Sequence, residues 1–274
     1  MRACSFFLLL GALACGDKEG DTSSGAPADA DGDGLPDSED PAPDSADGDG
    51  DGLSDAEELD LGTDPLSTDS DGDSYLDPWE LAEGTDPADA ESRIYTGYWP
   101  YNPDKDALEE PSGGRAEVGA RIPRFVMVDQ FGEEVDIYDL AGAGVPVLVD
   151  LSAVWCGPCN ALSGWLDGES FPFGNGAAYE PVREAIASGD LLWVTVLGEN
   201  RSGAAPDGVV AERWFDSYPN PAVPVFADTA QEMAPWMDIM YWPTVVLLDA
   251  DLLVLSVDRE DPLAAIDDAA ALLD

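Results

Sequence analysis

Two sets of residues in this chain are spaced for chemistry. The first is Trp155-Cys156-Gly157-Pro158-Cys159, which sets two thiols two residues apart. Where a helix begins at such a pair, the first thiol sits by the positive end of the helix dipole, which lowers its pKa, and the second lies one turn on. Cys156 is therefore expected to be the exposed nucleophile and Cys159 the resolving thiol, exchanging with a substrate through a mixed disulfide. The second set is made of carboxylates. Three twelve-residue windows carry Asp at positions one, three, five and nine and an acid at twelve: Asp29, Asp31, Asp33, Asp37, Asp40; then Asp47, Asp49, Asp51, Asp55, Glu58; then Asp69, Asp71, Asp73, Asp77, Glu80. Gly34 and Gly52 occupy position six of the first two windows, allowing the sharp turn that folds alternate carboxylates around one ion. Such a ring of hard oxygens suits calcium, with a backbone carbonyl expected from Leu35, Leu53 or Tyr75 at position seven. Without a cation the carboxylates repel one another, so calcium binding is expected to order the segment. The third window has Ser74 in place of glycine and the first closes on the shorter Asp40, so both are expected to bind more weakly.

Composition removes other chemistries. The 274 residues include 58 Asp and Glu, 11 Lys and Arg and no His, for a formal charge of −47. Phosphate binding draws on cations that are scarce here, which argues against nucleic acid as a partner. The absence of histidine excludes a Ser/His/Asp triad, His-ligated zinc or haem, and a His proton shuttle. The charge is uneven: residues 16–111 hold 31 of the acids with only Lys18, Arg93 and Lys105, and are poor in aliphatic residues. Residues 112–274 carry long apolar runs and can bury a core. Ahead of both, Arg2 and the apolar stretch Ser5 to Ala14 have the size of a signal-peptide core, far below the roughly 20 residues of a membrane span.

The elements that must position the thiols are legible in residues 116–274. Phe125–Val128 and Glu134–Ile137 predict a hairpin around Asp129-Gln130-Phe131-Gly132, and Val145–Leu151 a buried central strand. Ala177–Ser188 has helical periodicity, Leu191–Leu197 reads as a second buried strand and Val209–Ser217 as a further helix. Thr244–Asp249 and Leu252–Val257 predict a late hairpin before a closing helix at Pro262–Leu273. The fold class is thus α/β, a mixed central sheet flanked by helices, behind an irregular calcium-binding segment. Between them, Tyr95, Tyr98, Trp99 and Tyr101 stand beside Pro100, Pro103 and Pro111 in either a linker or an N-terminal extension that lays its aromatics on the next domain.

Three resemblances sharpen this reading. Leu13-Ala14-Cys15-Gly16 resembles the lipobox of bacterial lipoproteins, although Ala12 stands where Leu is usual; it implies lipidation of Cys15. A plainly cleaved secretory signal would export the protein equally. The Asp windows, with the spacers Glu57–Pro65 and Glu80–Pro87, resemble thrombospondin type 3 calcium repeats of bacterial surface proteins more than EF-hands, since no long amphipathic helices flank them. Trp-Cys-Gly-Pro-Cys and the preceding Pro146–Val154 resemble the thioredoxin superfamily, and more closely its exported members related to the alkyl hydroperoxide reductase group. That resemblance implies a thioredoxin-like fold and thiol-disulfide oxidoreductase activity. It places Asp150, six residues before Cys156, as the buried acid that assists the resolving thiol, and Pro243 as a cis-proline lying against the disulfide. Trp242 is bulkier than the family's usual residue before that proline, no lysine is present to partner Asp150, and Trp155 completes the motif.

The expected organisation is a signal peptide (1–14), an anchor-proximal linker (15–28), acidic calcium repeats (29–92), the aromatic segment (93–115) and the thioredoxin-like domain (116–274). The expected protein is a lipid-anchored monomer of the bacterial cell envelope with structural calcium, no organic cofactor, and protein thiol or disulfide clients plus a redox partner. Other readings stay open. The cysteines could form a static disulfide, Asp150 could be only a buried acid, Trp155 only packing and the acidic windows only a charged linker. A peroxiredoxin does not fit Cys-Gly-Pro-Cys, and a copper chaperone of related fold needs a histidine. The alternative of another class is a non-enzymatic calcium-binding surface protein whose head only binds partners.

Overall fold

The computed structural model of the protein describes residues 28–174, 176–258 and 263–273; the expected leader, Cys4 and the lipidation position Cys15 lie outside them. No helix among the described residues is long and apolar enough to cross a membrane.

The acidic segment is built by repetition. In each window the position-nine backbone N–H closes the loop onto the carbonyl of the residue just before the first aspartate: Asp55 onto Ala46 and Asp77 onto Thr68, as Asp37 does onto Ala28. A seven-residue helix leaves each of the last two loops, α1 (Asp55–Leu61) and α2 (Asp77–Glu83). Ser54 and Glu57 form a capping box at the start of α1, Pro78 stands in the first turn of α2, and Gly62 and Gly84 end them in the left-handed region at φ 91° and 87°. These helices are too short to show a periodic signal in sequence.

Among the described residues of the head, seven strands make one mixed sheet: β1 (Val126–Asp129), β2 (Glu134–Asp136), β3 (Val147–Ala153), β4 (Leu192–Glu199), β5 (Val225–Ala227), β6 (Thr244–Leu248) and β7 (Val254–Val257). Their order is β2-β1-β5-β4-β3-β6-β7. Every residue of β3 is buried, as its nearly continuous apolar run requires. It pairs parallel with β4, setting Val149 opposite Val194, and antiparallel with β6, setting Val149 opposite Val246. A β-strand, helices, a parallel strand, then a β-hairpin and a closing helix is the thioredoxin-like order that the sequence predicts. β5 and the five-residue α6 below were not predicted; three and five residues carry no usable period.

The helices are α3 (Gly157–Leu166), α4 (Glu180–Ser188), α5 (Gly208–Ser217), α6 (Met233–Met237) and α7 (Ala264–Leu272). On one face of the sheet Leu148 packs with Leu162 and Trp165 of α3, Val182 and Ile186 of α4, and Ile266 of α7. On the other, Val147, Val149 and Leu151 share a core with Ile137, Tyr138 and Trp236, and this core also takes in Tyr95, Trp99, Tyr101 and Tyr75.

The aromatic segment therefore lies on the head. Trp99 is 5% exposed and its indole N–H donates to Asp129 Oδ2 at 2.8 Å, while Tyr95 donates its hydroxyl to Asp139 Oδ2 at 2.7 Å. The Tyr101 carbonyl passes 2.0 Å from where a Cβ on residue 142 would stand, so glycine is needed there for the backbones to meet. The third repeat joins the same core: Tyr75 is 3% exposed and donates to the Trp99 carbonyl at 2.8 Å. Lys105 bridges Glu83 of α2 at 3.7 Å and the buried Asp139 at 3.1 Å. Trp99→Ala is expected to lower unfolding free energy in urea by about 3–5 kcal/mol, whereas Met240→Ala, at a side chain 78% exposed, is expected to change it by less than about 0.5 kcal/mol.

Candidate functional site

β3 ends at Ala153 and the chain turns through Val154 and Trp155 into α3, whose N-cap is Cys156. Cys156 Sγ accepts from the Cys159 backbone N–H at 3.1 Å, and Pro158 fits the first turn, where its missing N–H removes no helical bond. Cys156 and Cys159 form a disulfide, with Cα atoms 5.3 Å apart. Asn160 braces the turn, donating its amide to the carbonyls of Cys156 and Val154 and accepting from the Tyr218 hydroxyl.

The sequence places Cys156 as the exposed thiol, and here the structure differs. Cys156 is 3% exposed and Cys159 fully buried. Both belong to a small cluster with Ala153, Leu197 and Trp214, against which Trp242 packs. The physical reason is this apolar packing, to which the bulky Trp242 contributes with Val154, Phe215 and Tyr218. Its peptide bond to Pro243 is cis, as expected for the loop beside the thiols. Trp155 stands edge-on to Trp242 with ring centroids 6.1 Å apart, and remains half exposed, so it is not a core residue. Its indole N–H donates to Glu199 Oε2 at 2.8 Å, a partner that the sequence reading did not identify.

Asp150 is fully buried in β3 on the same side of the sheet as Leu148, the side that α3 covers. Its carboxyl accepts from the Ser152 hydroxyl at 3.0 and 3.1 Å. Burial pushes it up to about 7, the Ser152 bond opposing the rise and Asp258 adding to it. Ser152, two residues on and thus on the same strand face, was legible from alternation alone.

Each acidic window brings its positions one, three and five together: Asp29, Asp31 and Asp33; Asp47, Asp49 and Asp51; Asp69, Asp71 and Asp73, with one oxygen of each within 4.8 Å of the others. Positions nine and twelve stand outside these tight groups. At position nine, Asp37, Asp55 and Asp77 each accept from the backbone N–H one residue after the window's first aspartate, at 2.7–2.9 Å. At position twelve, Glu58 is fully buried with both oxygens lacking a partner, and Glu80 is fully buried with one. Oδ2 atoms of Asp31, Asp49, Asp51, Asp55 and Asp71 are buried and without a hydrogen-bond partner too. Burial and the neighbouring carboxylates push Glu58 and Glu80 up to about 7. Buried hard oxygens without donors, all of one sign, are a donor set that fits calcium.

Ser74 keeps the turn that glycine makes in the second loop. It sits at φ 88°, and its N–H donates to Asp69 Oδ2 as the Gly52 N–H does to Asp47 Oδ2. The third loop also holds a cation of its own, Arg93, whose Nε lies 3.6 Å from Asp73 Oδ2. For the first loop, Asp40 is pushed up by its surroundings, of which burial comes first, with Asp31 and Asp33 adding to it.

Two outcomes follow. A left-handed conformation costs a non-glycine residue about 1–2 kcal/mol, so Ser74→Gly is expected to tighten calcium binding at the third loop a few-fold by calorimetric titration. For Asp150 the folded state favours the protonated acid, so its contribution is complete at low pH and is lost as pH rises through about 7. Asp150→Asn is expected to be more stable than the parent at pH 8 by up to about 4 kcal/mol and to gain little at pH 4, measured in urea with calcium held saturating.

The family model of the bacterial TSP3 repeat matches residues 47–68 and 69–90, the second and third windows with their helices. No curated protein sequence matches the chain. Among solved structures, a putative thiol:disulfide interchange protein DsbE from Chlorobium tepidum is similar at 21% identity, covering 57% of this chain and 94% of its own, with a TM-score of 0.41. A thiol-disulfide oxidoreductase from Bacteroides fragilis is similar at 15% identity, covering 52% and 91%, with a TM-score of 0.37. A thiol peroxidase from Chromobacterium violaceum is similar at 14%, covering 59% and 88%, with a TM-score of 0.40. The chain joins two segments that match the bacterial TSP3 repeat to a mixed α/β head that carries one Cys-x-x-Cys disulfide.

Proposed function

We propose that the protein is an exported thiol-disulfide oxidoreductase, lipid-anchored through Cys15 in the bacterial cell envelope, which exchanges its Cys156–Cys159 pair with protein clients and a redox partner. The single observation that carries this reading is the disulfide at the N-cap of α3, bounded by the cis-proline loop and Trp155. In exchange, a client thiolate attacks one sulfur of the pair and a mixed disulfide forms as the internal bond breaks. A second client thiol then resolves it, and the pair leaves with both electrons. As Cys156 becomes a thiolate, the Cys159 N–H already aimed at its sulfur and the helix N-terminus stabilise the charge. Asp150 is a positioning or proton-holding group for Cys159, consistent with a carboxyl that holds its proton near neutral pH.

The repeats are a calcium-loaded stalk. Asp47, Asp49, Asp51, Asp55 and Glu58 would hold one ion, and the corresponding residues of the other two windows one each; calcium supplies charge balance there and no redox chemistry. A binding head without turnover is the second reading, and the burial of Cys156 is the observation that favours it.

Cys156→Ser is expected to abolish disulfide exchange, and Cys159→Ser to trap clients as mixed disulfides recoverable on a non-reducing gel. The reduction potential of the pair, set against glutathione buffers, then gives direction: near about −270 mV a reductase, near about −120 mV an oxidant. Turnover retained by Cys156→Ser overturns the mechanism, and a pair that no buffer reduces favours the binding head.

A further inference from the structure

Charge in this protein is so one-sided that an arginine without an acid beside it stands out. Among the described residues Arg93, Arg115, Arg124 and Arg183 each lie within 4.0 Å of a carboxylate, and Arg121 donates to the Asp251 carbonyl. Arg201 and Arg213 have no such partner for their guanidinium groups. Both line the same open cleft of about 540 Å³. Arg201 comes from the loop after β4 and Arg213 from α5, twelve residues on, so two separate elements bring them to one place.

That cleft adjoins the disulfide. Val154 and Asn160, which flank the Cys156–Cys159 turn and are bonded to each other, line it, and so do Trp214 and Tyr218. Trp214 belongs to the same buried cluster as both cysteines, and Tyr218 donates to Asn160. Among the described residues the remaining wall is neutral, with no Asp or Glu lining the cleft. Two free guanidinium groups and two aromatic side chains form a surface that a carboxylate-bearing organic group complements, by ion pairing at one end and stacking along the other.

We propose that this cleft docks clients whose reacting sulfur lies close to a carboxylate, acidic thiols or disulfides held between Arg201 and Arg213. The proposal rests on the exchange reading above and adds its specificity. The arginines also answer a physical difficulty, since a chain of charge −47 repels acidic clients unless local cations offset the field at the point of contact.

The test uses the mature chain with calcium bound, reduced by dithiothreitol and desalted. The Cys156 thiolate attacks a probe disulfide; the Cys156–probe bond forms as the probe's own S–S bond breaks and releases one thiolate. Cys159 then displaces the second, so the pair is oxidised and the probe reduced by two electrons. The probes are dithiobis(nitrobenzoate), an aromatic disulfide with carboxylates, and dithiodipyridine, its neutral counterpart. In R201Q/R213Q the rate with the carboxylate probe is expected to fall about tenfold at low ionic strength while the neutral probe reacts as before, which also shows that the variant is folded. R115Q/R183Q, which removes the same charge elsewhere, is expected to change neither. Equal losses with both probes, or equal losses in the two double variants, overturn the proposal. Failure of the parent protein to react with either probe overturns the exchange reading itself. Oxidised glutathione and a disulfide-linked peptide with Asp beside its cysteine, each compared with the double variant, then separate the sources. Sensitivity to glutathione alone assigns the cleft to small acidic thiols, and sensitivity to the peptide assigns it to acidic protein clients; insensitivity to both overturns it.

Discussion

Mutual repulsion of carboxylates is the constraint on which the rest of this structure depends. In each loop three aspartates present oxygens within 4.8 Å of one another, and the second and third windows each add a fully buried glutamate at position twelve. Backbone N–H groups bind only one oxygen of most of these side chains and leave the other facing inward without a donor. The turns, caps and short helices of the repeats are thus spaced by these clustered carboxylates, a donor set that fits calcium. The hydrophobic core of the head is joined by the repeats at Tyr75, where the third loop meets it.

The redox pair is governed by the opposite balance. It lies in a small apolar cluster that includes Trp214 and against which Trp242 packs, with Glu199 held against Trp155 and two arginines lining the adjoining cleft. Burial raises the free energy of a thiolate, while the helix terminus and the Cys159 N–H lower it. Asp150 answers to the same low-polarity surroundings, and with the Ser152 hydroxyl donating to it, it holds its proton to about neutral pH. The acidic loops and Asp150 therefore behave differently because one set is close to its own kind and the other is buried in the sheet beneath α3.

Much of this was legible in the chain itself, for reasons that differ by element. The buried strands β3 and β4 announce themselves by continuous apolar runs, and the Asp windows by a period that no helix or strand shares. β5 and α6 escaped because elements this short are defined by the neighbours they pair with. The exposure of Cys156 was misjudged because a motif reports which residues are adjacent and says nothing of what the cis-proline loop folds over them. Arg201 and Arg213 were invisible for a related reason: their convergence exists only once α5 packs beside the loop that follows β4. Tyr75 did leave a signal, an aromatic at the loop position where the other two windows have leucine.

The docking of Tyr75 has a mechanical meaning. A chain held at one end and tugged at the other passes its tension through whichever contacts span the line of pull. Here the third repeat is latched to the head by Tyr75, by Glu83 through Tyr101 and Lys105, and by the Trp79–Tyr101 ring contact, all of which lie upstream of the first strand. Load entering from the repeats meets that latch before it reaches the sheet.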